Sequence, residues 1–435
     1  MRKVLVGLAL LVMPLASAFG QEAASDVHAI SLDDAVRQAQ ANSPYTVQAR
    51  SASRVADANF KAAIAAFLPE ISLSQSAYHS GGANFFQGSL IPTSSGWSYS
   101  KGYGLGLTLF DGGARLLQYR AARANLAAAD QYEVIQRYTV ALNVKQQYFA
   151  ALAAREAEAA ADQQLQLANE QLAVTEAEVA GGMLSRVDSL NSAVAVGQAK
   201  LAVITAQGSL VTANAALTQL VGAAHEVTAT PSDTALVPTI SIDSVALLHL
   251  ALDGPAVRQA ARQVVANQSS WWGSFSRYLP SLSVSYGYSR YFNSDRFLVG
   301  GGSLVNSHTL YYEASYSVFD NFRREASVVS AATANDNAEA QLRDARLSAR
   351  ENLAQFLAQF RTAAQTIELQ RLQIEAAQET VAGKDAQYRA GKLALVDVLL
   401  AQTALVQARQ ALIQARLNAR TAKAQIEAII GKDIE

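Results

Sequence analysis

The chain has 435 residues and no cysteine. That excludes disulfides and an N-terminal anchor attached through a lipidated cysteine. Formal charge is nearly balanced, at -1, with no basic stripe suited to a phosphate backbone, so no nucleic-acid partner is expected. Beyond the N-terminus, no stretch reaches the ~18 consecutive apolar residues of a membrane helix; membrane residence would have to come by another route. The five histidines (28, 79, 225, 249 and 308) are scattered without metal-ligand spacing, and no zinc-protease motif, nucleophile elbow or phosphate loop occurs. No metal, no cofactor and no enzymatic activity are expected.

What is present begins with an export signal. Arg2 and Lys3 precede the apolar VLVGLALLVM, and Ala16-Ser17-Ala18 supplies small residues at cleavage spacing. A signal peptide over residues 1–18, with cleavage as late as about 20, follows from this pattern.

The remainder is a tandem repeat. ISLDDAV at Ile30 recurs as ISIDSVA at Ile240, and FLPEISLSQSAY at Phe67 as YLPSLSVSYGYS at Tyr278. Asp111 and Arg115 recur as Asp320 and Arg324, Gly182 and Asp188 as Gly391 and Asp397, and Gly222 as Gly431. The offsets lie between 209 and 211 residues, one register throughout. The first copy spans 19–239 and the second 240–435. Each reads as two short helices, two strands, a very long helix and a return helix. Expected strands cover about 70–79 and 102–110, then 281–291 and 309–319. Expected long helices cover about 112–180 and 321–389, each ~100 Å long, with return helices over about 184–221 and 392–430.

At LFDGGARLLQ, residues 109–118, a strand turns into a long helix at one aspartate. Asp111 and Asp320 are expected to cap these helices. Gly112-Gly113 offers a bend at the first junction, whereas VFDNFRREAS at the second has no glycine, so its bend is expected to be made differently.

The strands alternate cleanly. Tyr103, Leu105, Leu107 and Leu109 oppose Gly104, Gly106 and Thr108, and Leu282, Val284, Tyr286 and Tyr288 oppose Ser281, Ser283 and Ser285. One face is apolar and Tyr-rich, the other Ser, Thr and Gly. Such hairpins either pack one face on a soluble core or span a membrane, with the apolar face on lipid and the small polar face on a lumen. The Ala-rich, rod-like helices are poor covers for an apolar sheet face, which favours the membrane reading. Four strands cannot close a barrel, and an open edge in lipid is forbidden. A ring of two or three chains is then required.

These residues resemble the TolC-type outer membrane efflux proteins, over essentially the whole mature chain. The resemblance is carried by the duplicated unit, the LP.LS.S strand openings, the FDGG.R junction and YRAGKLALVDVLLAQTALVQAR from Tyr388. It implies a mostly α fold with a small β portion, in which a homotrimer forms a 12-stranded outer membrane β-barrel, four strands per chain, continued by an α-helical barrel across the periplasm. It implies an exit duct for a tripartite efflux or type I secretion system. The implied partners are outer membrane lipid, a periplasmic adaptor and an inner membrane pump of the RND, ABC or MFS type. The hairpin tips, Gly181, Gly182, Met183, Leu184 and Ser185 with Gly391, Lys392 and Leu393, would dock the adaptor. Asp397, Asp188 and Tyr388 would line the periplasmic entrance. Leu393 and Leu400 stand where the archetype carries an arginine and an acid, so its closing network is not reproduced, although Arg186, Arg389 or Lys392 could substitute. An exported coiled-coil scaffold or adhesin without a pore is the alternative reading.

Overall fold

The computed structural model describes residues 27–230, 240, 243–294, 297 and 305–434. The expected signal peptide and the join between the repeats at 231–239 lie outside the described residues.

In the first half, α1 (Leu32–Asn42) and α2 (Pro44–Ala65) lead into β2 (Glu70–Phe86) and β3 (Ser89–Phe110). The long helix α3 (Ala114–Ala180) then turns back through α4 (Arg186–Val221). The second half follows the same order: α5 (Ser244–Leu252), α6 (Pro255–Ser274), β5 (Ser281–Ser294), β6 (Val305–Ser315), α7 (Arg323–Arg389) and α8 (Leu395–Ile430). Two short strands, β1 (His28–Ile30) and β4 (Val227–Ala229), pair in parallel beside the first half.

Both long helices contain 67 residues, ~100 Å of rod at 1.5 Å per residue. Alanine, glutamine and other good helix formers fill them, and no proline interrupts either one. Small residues let the antiparallel partners approach: Ala168 meets Val196 and Ala199, while Ala363 and Ile367 meet Ala415 and Ala419.

The four long strands form one antiparallel sheet in the order β2-β3-β5-β6. The first hairpin reaches further than the alternation suggests. β2 runs on to Phe86 and β3 starts at Ser89, because pairing continues past the irregularity between His79 and Gly81. Rows of the apolar face are in register: Ile71, Leu105, Tyr286 and Leu310 in one, Leu73, Tyr103, Tyr288 and His308 in the next. Tyr103 and Tyr288 stack at 5.2 Å between ring centroids. Leu73 is 85% exposed and Tyr312 67%, so among the described residues no element covers this part of the face.

The largest core lies midway along the rods, where α1, α3, α4 and the β1–β4 pair meet. The Tyr148 hydroxyl donates to Ile30 O at 3.2 Å and accepts from Thr230 N at 3.1 Å. Nearby, Lys145 of α3 donates to Glu427 of α8 at 2.6 Å and to Asp433 at 3.2 Å, tying the halves together. Burial alone would lower the Lys145 pKa, but the Glu427 bond and then Asp433 outweigh it, and the net direction is up. A raised lysine pKa stabilises the fold at every pH below its unfolded value, about 10.4. That contribution disappears only as pH rises through the folded pKa. Lys145→Ala is therefore expected to destabilise by about 3 kcal/mol, since it strands a buried carboxylate. Replacing both partners, Lys145→Met with Glu427→Leu, should recover most of the loss. A thermal-unfolding double-mutant cycle at neutral pH checks both outcomes.

Candidate functional site

Three features of the fold stand out as candidate sites: the sheet, the junctions where it becomes helix, and the hairpin tips at the far end.

At the first junction Asp111 accepts from Gly113 N (3.1 Å), Arg115 N (3.1 Å) and Arg115 Nε (2.9 Å). The first helical residue is Ala114, and Gly113, not Asp111, occupies the N-cap position. Asp111 thus caps from two residues upstream. Arg115 also donates to Ala66 O at 3.2 Å and lies over the Phe67 ring, which locks α2 to the junction. At the second junction Asp320 accepts from Arg324 N at 3.1 Å, and the Arg324 guanidinium lies over Tyr278.

The expectation that the second bend is made differently is corrected here. Gly112 and Gly113 have φ of 68° and 85°, and Asn321 and Phe322 have φ of 58° and 61°. Both junctions use two consecutive left-handed residues. Asparagine tolerates that region; phenylalanine is strained there. Glycine is needed at 112 because a Cβ would sit 2.5 Å from Ser276 O, whereas a Cβ at 113 meets nothing within 4 Å.

Both tips close with the same double turn. Met183 N donates to Glu178 O and Gly182 N to Val179 O; Lys392 N donates to Gln387 O and Gly391 N to Tyr388 O. The two acids then differ. Asp188 is engaged in a capping box, accepting from Ser185 N at 3.2 Å and from its hydroxyl at 2.7 Å. Asp397 stands at the same helical position, but Ala394 is the cap, and the Asp397 carboxylate makes no hydrogen bond among the described residues. Arg389 pairs with Asp385 within its own helix at 2.9 Å.

Leu393 joins Leu184 and Leu399 around buried Tyr388, Leu395 and Val398. The two tips therefore meet through apolar contact. The Tyr388 hydroxyl is buried and completes no hydrogen bond, although Thr175 lies near enough to favour its ionised form in part; burial, the larger influence, pushes its pKa up. Thr175 is instead bonded to Gln171 O at 2.8 Å and to Ser192 Oγ at 3.2 Å. Tyr388→Phe removes an unpaired buried hydroxyl, so stability should be unchanged or higher by about 1 kcal/mol. Calorimetry checks this, and a loss above that size would show that the hydroxyl has a partner.

A model of the family described as outer membrane efflux protein matches residues 35–223 and 247–432, one match in each half. This chain belongs to the outer membrane efflux protein family. The family places it in the outer membrane of a Gram-negative bacterium, with the helical part extending into the periplasm. It is 26% identical over 307 residues to Protein CyaE of Bordetella pertussis, a match covering 69% of this chain and 64% of that protein. Its fold is similar to the outer membrane protein VceC of Vibrio cholerae, with a TM-score of 0.77, 18% identity, and 93% of this chain and 97% of that one covered. A membrane protein from Pseudomonas aeruginosa gives 0.80, with 18% identity and coverage of 94% and 92%. The turn between β2 and β3, at Gln87 and Gly88, lies at the end of the open apolar sheet away from the helices.

Two arrangements escape a reading by sequence. Helix α4 is long and apolar enough to cross a membrane by composition. Its apolar residues instead form a stripe at alternating three- and four-residue steps: Val187, Leu190, Val194, Leu201, Ile204 and Val211, each 57–65% exposed. Gly197 and Gly208 fill the remaining positions of that spacing. The stripe was readable as a heptad; its being left uncovered was not. The fold also brings His28 and His225 to 5.9 Å between ring centroids. Among the described residues no group of three or more His, Cys, Asp or Glu side chains is placed to hold a metal.

Proposed function

We propose that three copies of this chain close into a ring, four strands each, and form the exit duct of a tripartite export system. The observation that carries this reading is the four-stranded sheet with two unpaired edges, β2 and β6, and an uncovered apolar face. In lipid each unpaired backbone group costs several kcal/mol, so the β6 edge of one copy must pair with the β2 edge of the next. Three copies give twelve strands, wide enough for a solute lumen. The α4 stripe supplies a matching seam in the periplasm, where a heptad face packs on a neighbouring helix.

In this reading the lumen is lined by the Ser, Thr and Gly face. The tips around Gly182, Met183, Gly391 and Lys392 dock a periplasmic adaptor bound to an inner membrane pump of the RND, ABC or MFS type. Asp397, free of capping duty, supplies one carboxylate per chain to a ring that favours cations. Asp188 is tied to Ser185 and serves the turn. No catalytic step is assigned to any residue.

Planar-bilayer recording tests the proposal. The purified protein should conduct with a preference for cations, and Asp397→Asn should weaken that preference. Absence of conductance, before and after loosening the tips, supports the pore-free scaffold instead.

A further inference from the structure

On the apolar face, two rows beyond Leu105 and Tyr286 toward the extracellular end, Lys101 of β3 lies directly opposite Arg290 of β5. Like charges in register across an antiparallel pair repel and destabilise the ladder. Neither side chain has a carboxylate partner among the described residues, and Arg290 Nε is buried without a hydrogen bond. Both line a cavity of about 380 Å³ together with Leu73, Gln75, Tyr103 and Tyr288, and no acid lines it. Aromatic rows flank the pair on the same face, Tyr103–Tyr288 on the side of the helices and Tyr99–Phe292 on the far side, stacked at 4.8 Å; aromatic side chains of this kind form the girdle of a membrane strand at the lipid–water boundary. The Tyr288 hydroxyl donates to Asn306 Oδ1 at 3.4 Å, and Gln75 adds an amide to the lining around the two cations.

We propose that Lys101 and Arg290 hold a phosphate of an anionic glycolipid headgroup in the outer leaflet. A phosphate between the two cations converts their repulsion into two charge-assisted contacts and gives Arg290 Nε an acceptor. The apolar row of Leu73 and Tyr103 below lies against the acyl chains of the same lipid. The site rests on the sheet facing lipid, as the membrane-barrel reading requires.

The test uses the full protein in nanodiscs with and without diphosphoryl lipid A. In its presence, Lys101→Gln with Arg290→Gln should lower the melting temperature and reduce lipid A retention at least ~10-fold by native mass spectrometry. In phosphatidylethanolamine alone the same substitutions should leave the melting temperature unchanged or raise it, because they remove a repulsion. Lys101→Arg should retain the lipid. Equal retention by wild type and the double variant overturns the site. So does full displacement of lipid A by millimolar inorganic phosphate, which reassigns the cations to a free anion. Conductance of the double variant, expected at the wild-type level, separates failure of this site from failure of the barrel.

Discussion

Gly112→Val is expected to abolish the assembled channel. Position 112 has φ of 68°, and a Cβ there would lie 2.5 Å from Ser276 O and 3.0 Å from Ser276 Cα. A β-branched residue in the left-handed region costs about 1–2 kcal/mol before any contact is counted. The clash is with backbone of the turn that leads from α6 into β5, which cannot swing aside as a side chain could. Relief requires moving α3 away from α6 at the base of the sheet, and the summed cost is a large part of a typical stability of about 5–15 kcal/mol. Gly113→Ala is the matched control. Its Cβ has open space, so it should lose only about 1 kcal/mol and assemble normally. At the second junction, Phe322→Gly should be tolerated, since Phe322 is exposed and strained at φ 61°. Yield of folded protein in outer membranes, followed by resistance to protease, distinguishes the three variants. Wild-type yield from Gly112→Val would show that the junction is not under the steric constraint described.

Leu201→Glu combined with Ile204→Glu is expected to break the oligomer without unfolding the chain. Both side chains are 65% exposed, so neither supports the core of its own protomer. In the proposed ring each would be buried against a neighbour, where a large aliphatic side chain contributes about 1.5–3 kcal/mol. Burying two carboxylates there adds a desolvation penalty at every subunit contact. Association should weaken by at least ~100-fold, while helical circular dichroism stays unchanged. Ser209→Glu, on the same helix, leaves the stripe intact and should assemble. Undiminished assembly by the stripe variant would place the seam elsewhere.

Much of the architecture was legible because its periods are simple. Alternation along Tyr103, Leu105 and Leu107 announced the strands, and uninterrupted helix formers after Ala114 announced the rod. What stayed hidden depended on backbone geometry or on partners distant in sequence. Nothing in VFDNFRREAS signals two left-handed residues; the strain at Phe322 is imposed by the repeat of the first junction's geometry. The extension of β2 to Phe86 hides behind glycines and polar residues that look like loop. Asp188 and Asp397 looked equivalent, and only the cap residue before each, Ser185 against Ala394, separates a structural carboxylate from a free one. The apolar tip contacts of Leu393 with Tyr388 explain how a leucine stands where a charged closing contact was expected in the archetype. Lys101 and Arg290 are 189 residues apart and became neighbours only through strand register.

The central claim is that one chain cannot complete the membrane structure and three can. Native mass spectrometry of the mature protein released from mild detergent tests it most directly. The account predicts a single dominant species at three chain masses, with bound lipid but no monomer at micromolar concentration. A stable monomer or dimer as the dominant species would contradict it: a monomer leaves the edges of β2 and β6 unpaired in lipid, and a dimer closes at most eight strands instead of twelve.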